Sequence, residues 1–589
     1  MTNAEISRVL SEIAVILTVK GENPFKSRAY ERAAEAVADL SEDAAAVRAR
    51  GELRSIPGIG ASIAEKIEEL LDTGQCRHHQ ELLAEFPASA FTLLRIPGVG
   101  PKTVKVLLDE GITTVEELEH AVQEGRLRQL RGMGEKTEQE ILRGIGRVRE
   151  YGRRSDLGTA WLQAQEIMAR LRACAPVEQM EAAGSLRRMQ ETVGDLDILI
   201  TSDRPQEVMD CFIGLEAVAE VIAHGPTKSS VRTRAGIQAD LRVVAPESFG
   251  AALQYFTGSK AHNIKLRDLA VRRRLKLNEY GVFRVEGDKD VRLGGEREEE
   301  MYAALGLPMM PPELREDRGE IEAALEGRLP ELVELSDIRG DLHVHSDWSD
   351  GHLSIEAMAR AARDLGHEYI AITDHSPSQT VANGLSVERL RERQRKIATA
   401  RRKVRGIAIL SGAEVDIKRD GSLDYPEETL AELDFVVASA HSGWKAERAA
   451  MTARLIRAME HPWVDCIGHP SGRLIGKREP YDVDMEAVLE AAARLGVAME
   501  INAYPERLDL KDVHARRAQE LGVKILISSD AHSAEHLSFM RFGVATARRG
   551  WLGPATVLNT LPLAELRRQL RRARAKGRPG AGARRGRKD

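Results

Sequence analysis

Apolar positions change their period twice along this chain, and the two changes divide it. Near the start, Ile6, Val9, Leu10, Ile13 and Leu17 recur at three- and four-residue intervals, the spacing of one helix face. A second helix is predicted from Phe25 to about residue 40, and short helices fill residues 1–90. Further on, two β-type runs at 177–182 and 196–201 flank a turn at Gly184-Ser185. Asp195 and Asp197 then share one strand face. Asp240 opens another β-type run, Q-A-D-L-R-V-V, which strand pairing can bring beside them. From Arg339 short apolar strands alternate with amphipathic helices: D-L-H-V-H, Y-I-A-I-T-D-H, I-A-I-L-S-G-A-E, F-V-V-A-S-A-H, C-I-G-H-P, A-M-E-I-N and I-L-I-S-S-D-A-H. That rhythm predicts a parallel β/α barrel.

At 589 residues the chain exceeds one hydrophobic core, so several domains are expected. No apolar run reaches the ~18 residues of a membrane span, and the opening M-T-N-A-E-I-S lacks a signal-peptide layout, so a cytoplasmic protein is expected. Cys76, Cys174, Cys211 and Cys466 show no C-x-x-C spacing, which predicts reduced thiols and no thiolate zinc site. The net charge of −5 conceals a basic stretch at 267–276 and a basic tail at 566–589 that reads as disordered. Residues 286–310 read as an acidic loop.

Three related segments, I-P-G-I-G-A-S-I-A-E-K-I (56–67), I-P-G-V-G-P-K-T-V-K-V-L (96–107) and L-R-G-M-G-E-K-T-E-Q-E-I (130–141), each set G-x-G before a helix. Gly58 and Gly60, Gly98 and Gly100, and Gly132 and Gly134 thereby expose backbone N–H groups suited to DNA phosphates. They resemble helix-hairpin-helix motifs. A plain glycine-bearing hairpin is the alternative, and threefold repetition weighs against it.

Three carboxylates on a sheet edge make a seat for divalent ions, and in-line phosphoryl transfer with two metals needs such hard oxygen ligands. A lone D-x-D is weak evidence. Here G-S-L-R-R and G-D-L-D-I-L-I are followed by D-L-R, Y-F-T-G-S and L-N-E-Y. Those five motifs, in that order, resemble the palm and thumb of a family X DNA polymerase. The resemblance implies that Asp195, Asp197 and Asp240 hold two Mg²⁺ or Mn²⁺ ions, with Asp240 as base for the primer hydroxyl. It gives Gly184, Ser185 and Arg188 to the dNTP phosphates, and Tyr255, Phe256 and Gly258 to the sugar side. Asn263 would touch the incoming base and Arg267 the template, while Lys260 replaces an acidic residue of the vertebrate beta type. Lys26, Tyr30 and Lys66 match lyase-domain positions, which makes Lys66 a Schiff-base nucleophile, although Ser62 replaces a second lysine.

In the barrel, His343, His345, His375, Glu414, His441, His469, Asp530 and His532 stand at strand ends, with Asp350 in the first loop. One histidine there is ordinarily a satisfied core side chain, but nine ligand-type residues on the face where barrel sites form are a metal centre. The positions resemble the PHP domain. That likeness assigns His343, His345, Glu414 and Asp530 to one ion, Glu414, His441 and His469 to a second, and Asp350, His375 and His532 to a third. Up to three Mn²⁺ or Zn²⁺ ions suit this mixed set. The chemistry implied is phosphoester hydrolysis, as a 3′–5′ exonuclease.

The predicted architecture is therefore multidomain. It comprises a helical lyase-like region (1–90), helix-hairpin-helix fingers (91–150), an α+β nucleotidyltransferase palm (151–255) and thumb (256–312), a helical linker (313–337), the PHP-type β/α barrel (338–560) and a basic tail (561–589). The predicted partners are gapped or nicked duplex DNA and dNTPs, bound by a monomer. Two rival readings are a phosphoesterase with an inactive polymerase half and a non-catalytic DNA-end scaffold. The intact carboxylate triad argues against the first, and the full ligand set against the second.

Overall fold

In the computed structural model, residues 1–570 are described apart from 2, 39–43, 57, 85, 88, 95, 97–98, 131–132, 135–136, 140, 143, 146–153 and 287–288. Backbone contacts divide the chain into residues 1–152 with 476–478, and residues 153–475 with 479–589. The first unit is helical among the described residues. Its opening helix, Asn3–Lys20, buries Ile6, Leu10, Ile13 and Leu17, as the spacing predicts. Helices α1 (Ala61–Thr73) and α2 (Pro101–Asp109) start after Gly60 and Gly100, both in extended backbone. Gly58 turns with φ +91°, a conformation that glycine adopts without penalty. Gly98 and Gly132 lie outside the described residues.

In the second unit, α3 (Leu157–Cys174) leads into a five-stranded sheet: β1 (Gln179–Ala182), β2 (Asp195–Thr201), β3 (Val218–His224), β4 (Lys228–Thr233) and β5 (Gln238–Val243). The strand order is β1-β2-β5-β4-β3, with only β2 and β5 parallel. Leu196, Ile198 and Ile200 bury one face of β2 in a core with α3 and α4 (Pro205–Ile213). Alternation leaves Asp195, Asp197 and Leu199 on the other face, where Leu199 packs on α5 (Phe249–Thr257).

Cys174 of α3 is disulfide-bonded to Cys211 of α4, with Cα atoms 6.4 Å apart, which corrects the expectation of four reduced thiols. Chain spacing said nothing of two helices lying side by side 37 residues apart in sequence. Cys76 and Cys466 are free and buried.

After α5 come α6 (Lys260–Arg272) and an antiparallel meander of β6 (Leu275–Asn278), β7 (Gly281–Glu286) and β8 (Lys289–Gly294). Strand β8 and a helix at Glu298–Ala303 replace the acidic loop expected at 286–310, because residues 289–292 pair with β7 and Met301 and Tyr302 anchor the helix in the core. Residues 313–337 are no free linker either. Only Glu320–Leu325 is α-helical there, and Leu314, Arg315, Glu320 and Ile321 are buried. Arg315 ion-pairs with buried Glu298 and donates Nη2 to the Met310 carbonyl at 2.7 Å.

Seven parallel strands follow in consecutive order: β9 (Gly340–Val344), β10 (Tyr369–Ile372), β11 (Ala408–Asp416), β12 (Phe435–Ser439), β13 (Cys466–Ile467), β14 (Ala498–Asn502) and β15 (Ile525–Ser528). The His345 N–H donates to the Ala531 carbonyl at 2.8 Å and closes the ring. Outside it lie α7 (Asp512–Glu520), α8 (Met540–Arg549) and α9 (Leu563–Gln569). Leu566 and Leu570 pack beneath the barrel with Leu342 and Tyr369, so the ordered chain runs past the start of the expected disordered tail. The apolar pair suffices to dock one helical turn. Residues 571–589 lie outside the described residues.

Barrel and palm are fused through a common core. Phe542 of α8 and Leu508 join the cluster of α3 and the palm sheet, with the Phe542 ring 6.2 Å from Trp161.

Candidate active sites

The palm carboxylates are fixed by register. Asp197 on β2 is the direct Cα partner of Asp240 on β5, and Asp195 stands two residues before it on the same face. Among the described residues this triad is not one of the sets whose ligand atoms all lie within 4.8 Å of one another. Burial, and then the charges of Asp195 and Asp240, push the Asp197 carboxyl up to about 7. Crowded carboxylates of this kind are a seat that divalent ions relieve, so the residues fit the metals. Gly184 has φ +64°, and a Cβ there would stand 2.5 Å from Asp197 Oδ2. The glycine thus lets the turn close onto a carboxylate, besides the phosphate approach expected of it.

Around the triad, Ser185 is half-buried, and Tyr255 and Phe256 meet edge to face at 5.1 Å. Arg242 lies over Phe256, 4.6 Å from the ring centroid. Asn263 gives its amide to the carbonyls of Tyr255 (2.6 Å) and Gly258 (3.1 Å) and accepts from Gln254 (2.9 Å). Its amide therefore braces the end of α5. Lys260 and Arg267 are exposed on α6. Arg187, named by the G-S-L-R-R motif, pairs with buried Glu298 at 2.8 Å.

All nine barrel residues converge at the C-terminal ends of the strands. Ligand atoms of eight of them form three groups, His343/His345/Asp530, His375/Glu414/His441 and His345/Asp350/His375/His532, each spanning at most 4.8 Å, and His469 joins through Glu414. His345 and His375 each belong to two of these groups. Glu414 sits at the centre: Oε1 is 2.9 Å from His469 Nε2 and 3.2 Å from His441 Nε2, and Oε2 is 2.9 Å from His375 Nδ1. Burial alone would lower His343, yet Glu500, Asp530 and Glu414 raise it well above the usual histidine range. Burial opposes ionised Glu414, and His441, His375 and His343 hold it well below the carboxylate range.

The site passes a further test of fit to metal. His343 Nε2 and both ring nitrogens of His345 are buried without a hydrogen-bond partner, a costly state that bound cations remove. His469 and Asp530 also hold positive φ, 27° and 54°, the kind of backbone strain that gathers at functional sites.

Four supporting residues were not singled out from the sequence. Glu500 of β14 binds His343 Nδ1 at 2.7 Å and accepts the His469 N–H at 2.6 Å. Asp416 holds His441 Nδ1 at 3.2 Å, and Asn502 donates to Asp530 at 2.9 Å. Arg507 sets Nε 3.6 Å from Asp530 Oδ2, a cation at the edge of the cluster. The signal was present in A-M-E-I-N, where Glu500 and Asn502 share a strand face.

In the first unit, Lys66 donates to Ser62 Oγ and to the Ser62 carbonyl, both at 3.1 Å. Lys26 lies 3.5 Å from Glu22, and buried Tyr30 stacks 6.3 Å from His78. Burial, and then the charges of Lys66 and Lys26, lower His78.

Residues 1–76 match the helix-hairpin-helix domain family, 91–147 the SAM-like helix-hairpin-helix tandem, 252–316 the DNA polymerase beta thumb and 341–504 the PHP domain. The chain is 40% identical over 575 residues to the DNA polymerase/3′-5′ exonuclease PolX of Bacillus subtilis, covering 97% of this chain and 100% of that protein. It is also 33% identical over 236 residues to a probable phosphatase of Thermoanaerobacter sp., covering 37% of this chain and 89% of the relative. A probable phosphatase of Shewanella sp. is 33% identical over 205 residues, covering 33% of this chain and 76% of the relative.

Proposed function

Because this chain belongs to the bacterial family X DNA polymerases that carry a C-terminal PHP domain, we propose that it fills short gaps during DNA repair and trims 3′ ends in its barrel. It is a DNA polymerase and a 3′–5′ exonuclease that works on DNA with dNTPs. Asp195, Asp197 and Asp240 would hold Mg²⁺ or Mn²⁺, which would supply charge neutralisation for nucleotidyl transfer. Asp240 takes the proton of the primer 3′-hydroxyl, and Ser185 and Arg188 orient the β- and γ-phosphates.

In the barrel, the nine His, Asp and Glu side chains would hold Mn²⁺ or Zn²⁺, which would supply Lewis-acid activation for phosphoester hydrolysis. Glu500 and Asp416 keep the imidazoles of His343 and His441 oriented towards it. Arg507 offers a cation to the scissile phosphate. Lys66 serves as a 5′-deoxyribose-phosphate lyase nucleophile, and borohydride trapping that is lost in Lys66→Ala checks it.

The observation that carries the reading is the pairing of Asp197 with Asp240, together with eight clustered ligand-type residues in the same chain, joined by His469 through Glu414. The test is a labelled one-nucleotide-gapped duplex with Mg²⁺ or Mn²⁺, with and without dNTP. Asp197→Ala is expected to abolish extension and keep 3′-end degradation, and His343→Ala to do the reverse. Extension at the wild-type rate by Asp197→Ala would remove the palm assignment.

A further inference from the structure

Arg188 is not held by the palm alone. Its Nε donates to Glu316 at 2.9 Å and its Nη1 to the Thr257 carbonyl at 2.8 Å. Its own carbonyl accepts Arg549 Nη1, from barrel helix α8, at 2.8 Å. The same Nη1 reaches Glu316 at 3.0 Å, and Arg549 Nη2 is anchored on Asp512 of α7 at 2.9 Å. Arg318 adds a second cation to Asp512 at 2.8 Å. Alternating charges therefore run Arg188, Glu316, Arg549, Asp512, Arg318, from palm through thumb to barrel. The chain is desolvated: the side chains of Arg549, Asp512 and Glu316 are 4%, 6% and 11% exposed.

We propose that Arg549 is a positioning residue for the polymerase reaction, acting from the barrel to keep the Arg188 guanidinium open to the triphosphate of the incoming nucleotide. A buried carboxylate facing a single guanidinium draws it into a closed pair. Arg549 divides the charge of Glu316, so Arg188 is engaged through Nε and Nη1 while Nη2 remains for phosphate. Arg549 also pins the Arg188 backbone through its carbonyl. The barrel thus tunes nucleotide binding in the palm without contributing an atom to it. This inference rests on the reading of Arg188 as a phosphate ligand.

Single-turnover primer extension across a dNTP titration tests it, with the full chain on gapped DNA. Arg549→Met is expected to weaken dNTP binding about tenfold with less than about a twofold change in maximal rate. Degradation of single-stranded DNA in the barrel should stay at the wild-type rate, which also reports an intact fold. In a Glu316→Gln background, Arg549→Met should have a much smaller effect, since the charge it divides is gone and only its bond to the Arg188 carbonyl is left to lose.

Wild-type dNTP affinity in Arg549→Met, or an effect of undiminished size in the Glu316→Gln background, overturns the inference. Should Arg549→Met fail to fold, Asp512→Asn loosens the anchor of Arg549, along with that of Arg318, and should shift dNTP affinity in the same direction; no shift overturns the proposal. Arg188→Ala separates the two readings. If it leaves dNTP affinity unchanged, the assignment of Arg188 to phosphate falls. If it weakens affinity and Arg549→Met does not, only the role of Arg549 falls.

Discussion

At Gly184 a single missing methyl group decides whether the palm works. Any Cβ there would meet Asp197 Oδ2 at 2.5 Å. Gly184→Ala is predicted to cut extension by about 100-fold, as misplacement of a reacting group on the ångström scale does, with exonuclease activity unchanged. Parallel loss of both activities in that variant would point to misfolding. Asp197 supplies a pH prediction. Its folded pKa of about 7 exceeds its unfolded value, so folding takes up a proton, and stability falls as pH rises from the ordinary carboxylate range to about 7. Metal-free Asp197→Asn should therefore be more stable than wild type at pH 8, by on the order of 2–4 kcal/mol at ~1.4 kcal/mol per pKa unit, and no more stable near pH 3. Calorimetry with chelator checks this; equal melting at pH 8 would sink it. Glu500→Gln should lower barrel metal affinity about 10- to 100-fold and spare extension, read by metal titration. The sequence displayed Glu500 but could not rank it. A supporting carboxylate looks like a ligand until its partner, here His343, is seen.

The elements most legible in advance were those with strict periodicity or repeated chemistry. The opening helix, the D-x-D strand and all seven barrel strands could be read, because alternation and strand-end polarity are local properties. Strand β8 could not, because it is exposed and buries no apolar face although it pairs with the adjacent β7, and the helix at Glu298–Ala303 and the pairing of Cys174 with Cys211 could not, because each depends on a neighbour distant in sequence. The helix-hairpin-helix glycines divide in an informative way. Gly58 turns with positive φ, whereas Gly60 and Gly100 have ordinary φ and open space where a Cβ would go. The fold needs the first and merely tolerates the others. Leucine at Gly60 or Gly100 is thus expected to leave melting unchanged while weakening gapped-DNA binding and reducing its salt slope by about one ion per lost phosphate contact. Unaltered DNA affinity in both variants would show that these helix starts do not face DNA.

Across the whole molecule, composition announced several domains but not which of them would be welded together. Residues 313–337 read as a charged connector because Glu and Arg dominate them, yet Arg315 and Glu320 are buried against partners that no periodicity reveals. Palm and barrel share Trp161, Leu508 and Phe542 in one cluster. Phe542→Ala is predicted to cost about 3–5 kcal/mol and to lower one common melting transition of palm and barrel, followed by calorimetry and by hydrogen exchange in β2 and β14. Loss of protection in the barrel alone would contradict the common core. The weld also governs how the enzyme can be dissected. Cutting the chain ahead of Gly340 would strip Phe542 from Trp161 and lay bare an oily seam on the remaining fragment. A polymerase half made by truncation would report the behaviour of a wounded protein, and point substitutions are the cleaner scalpel for assigning each activity to its site.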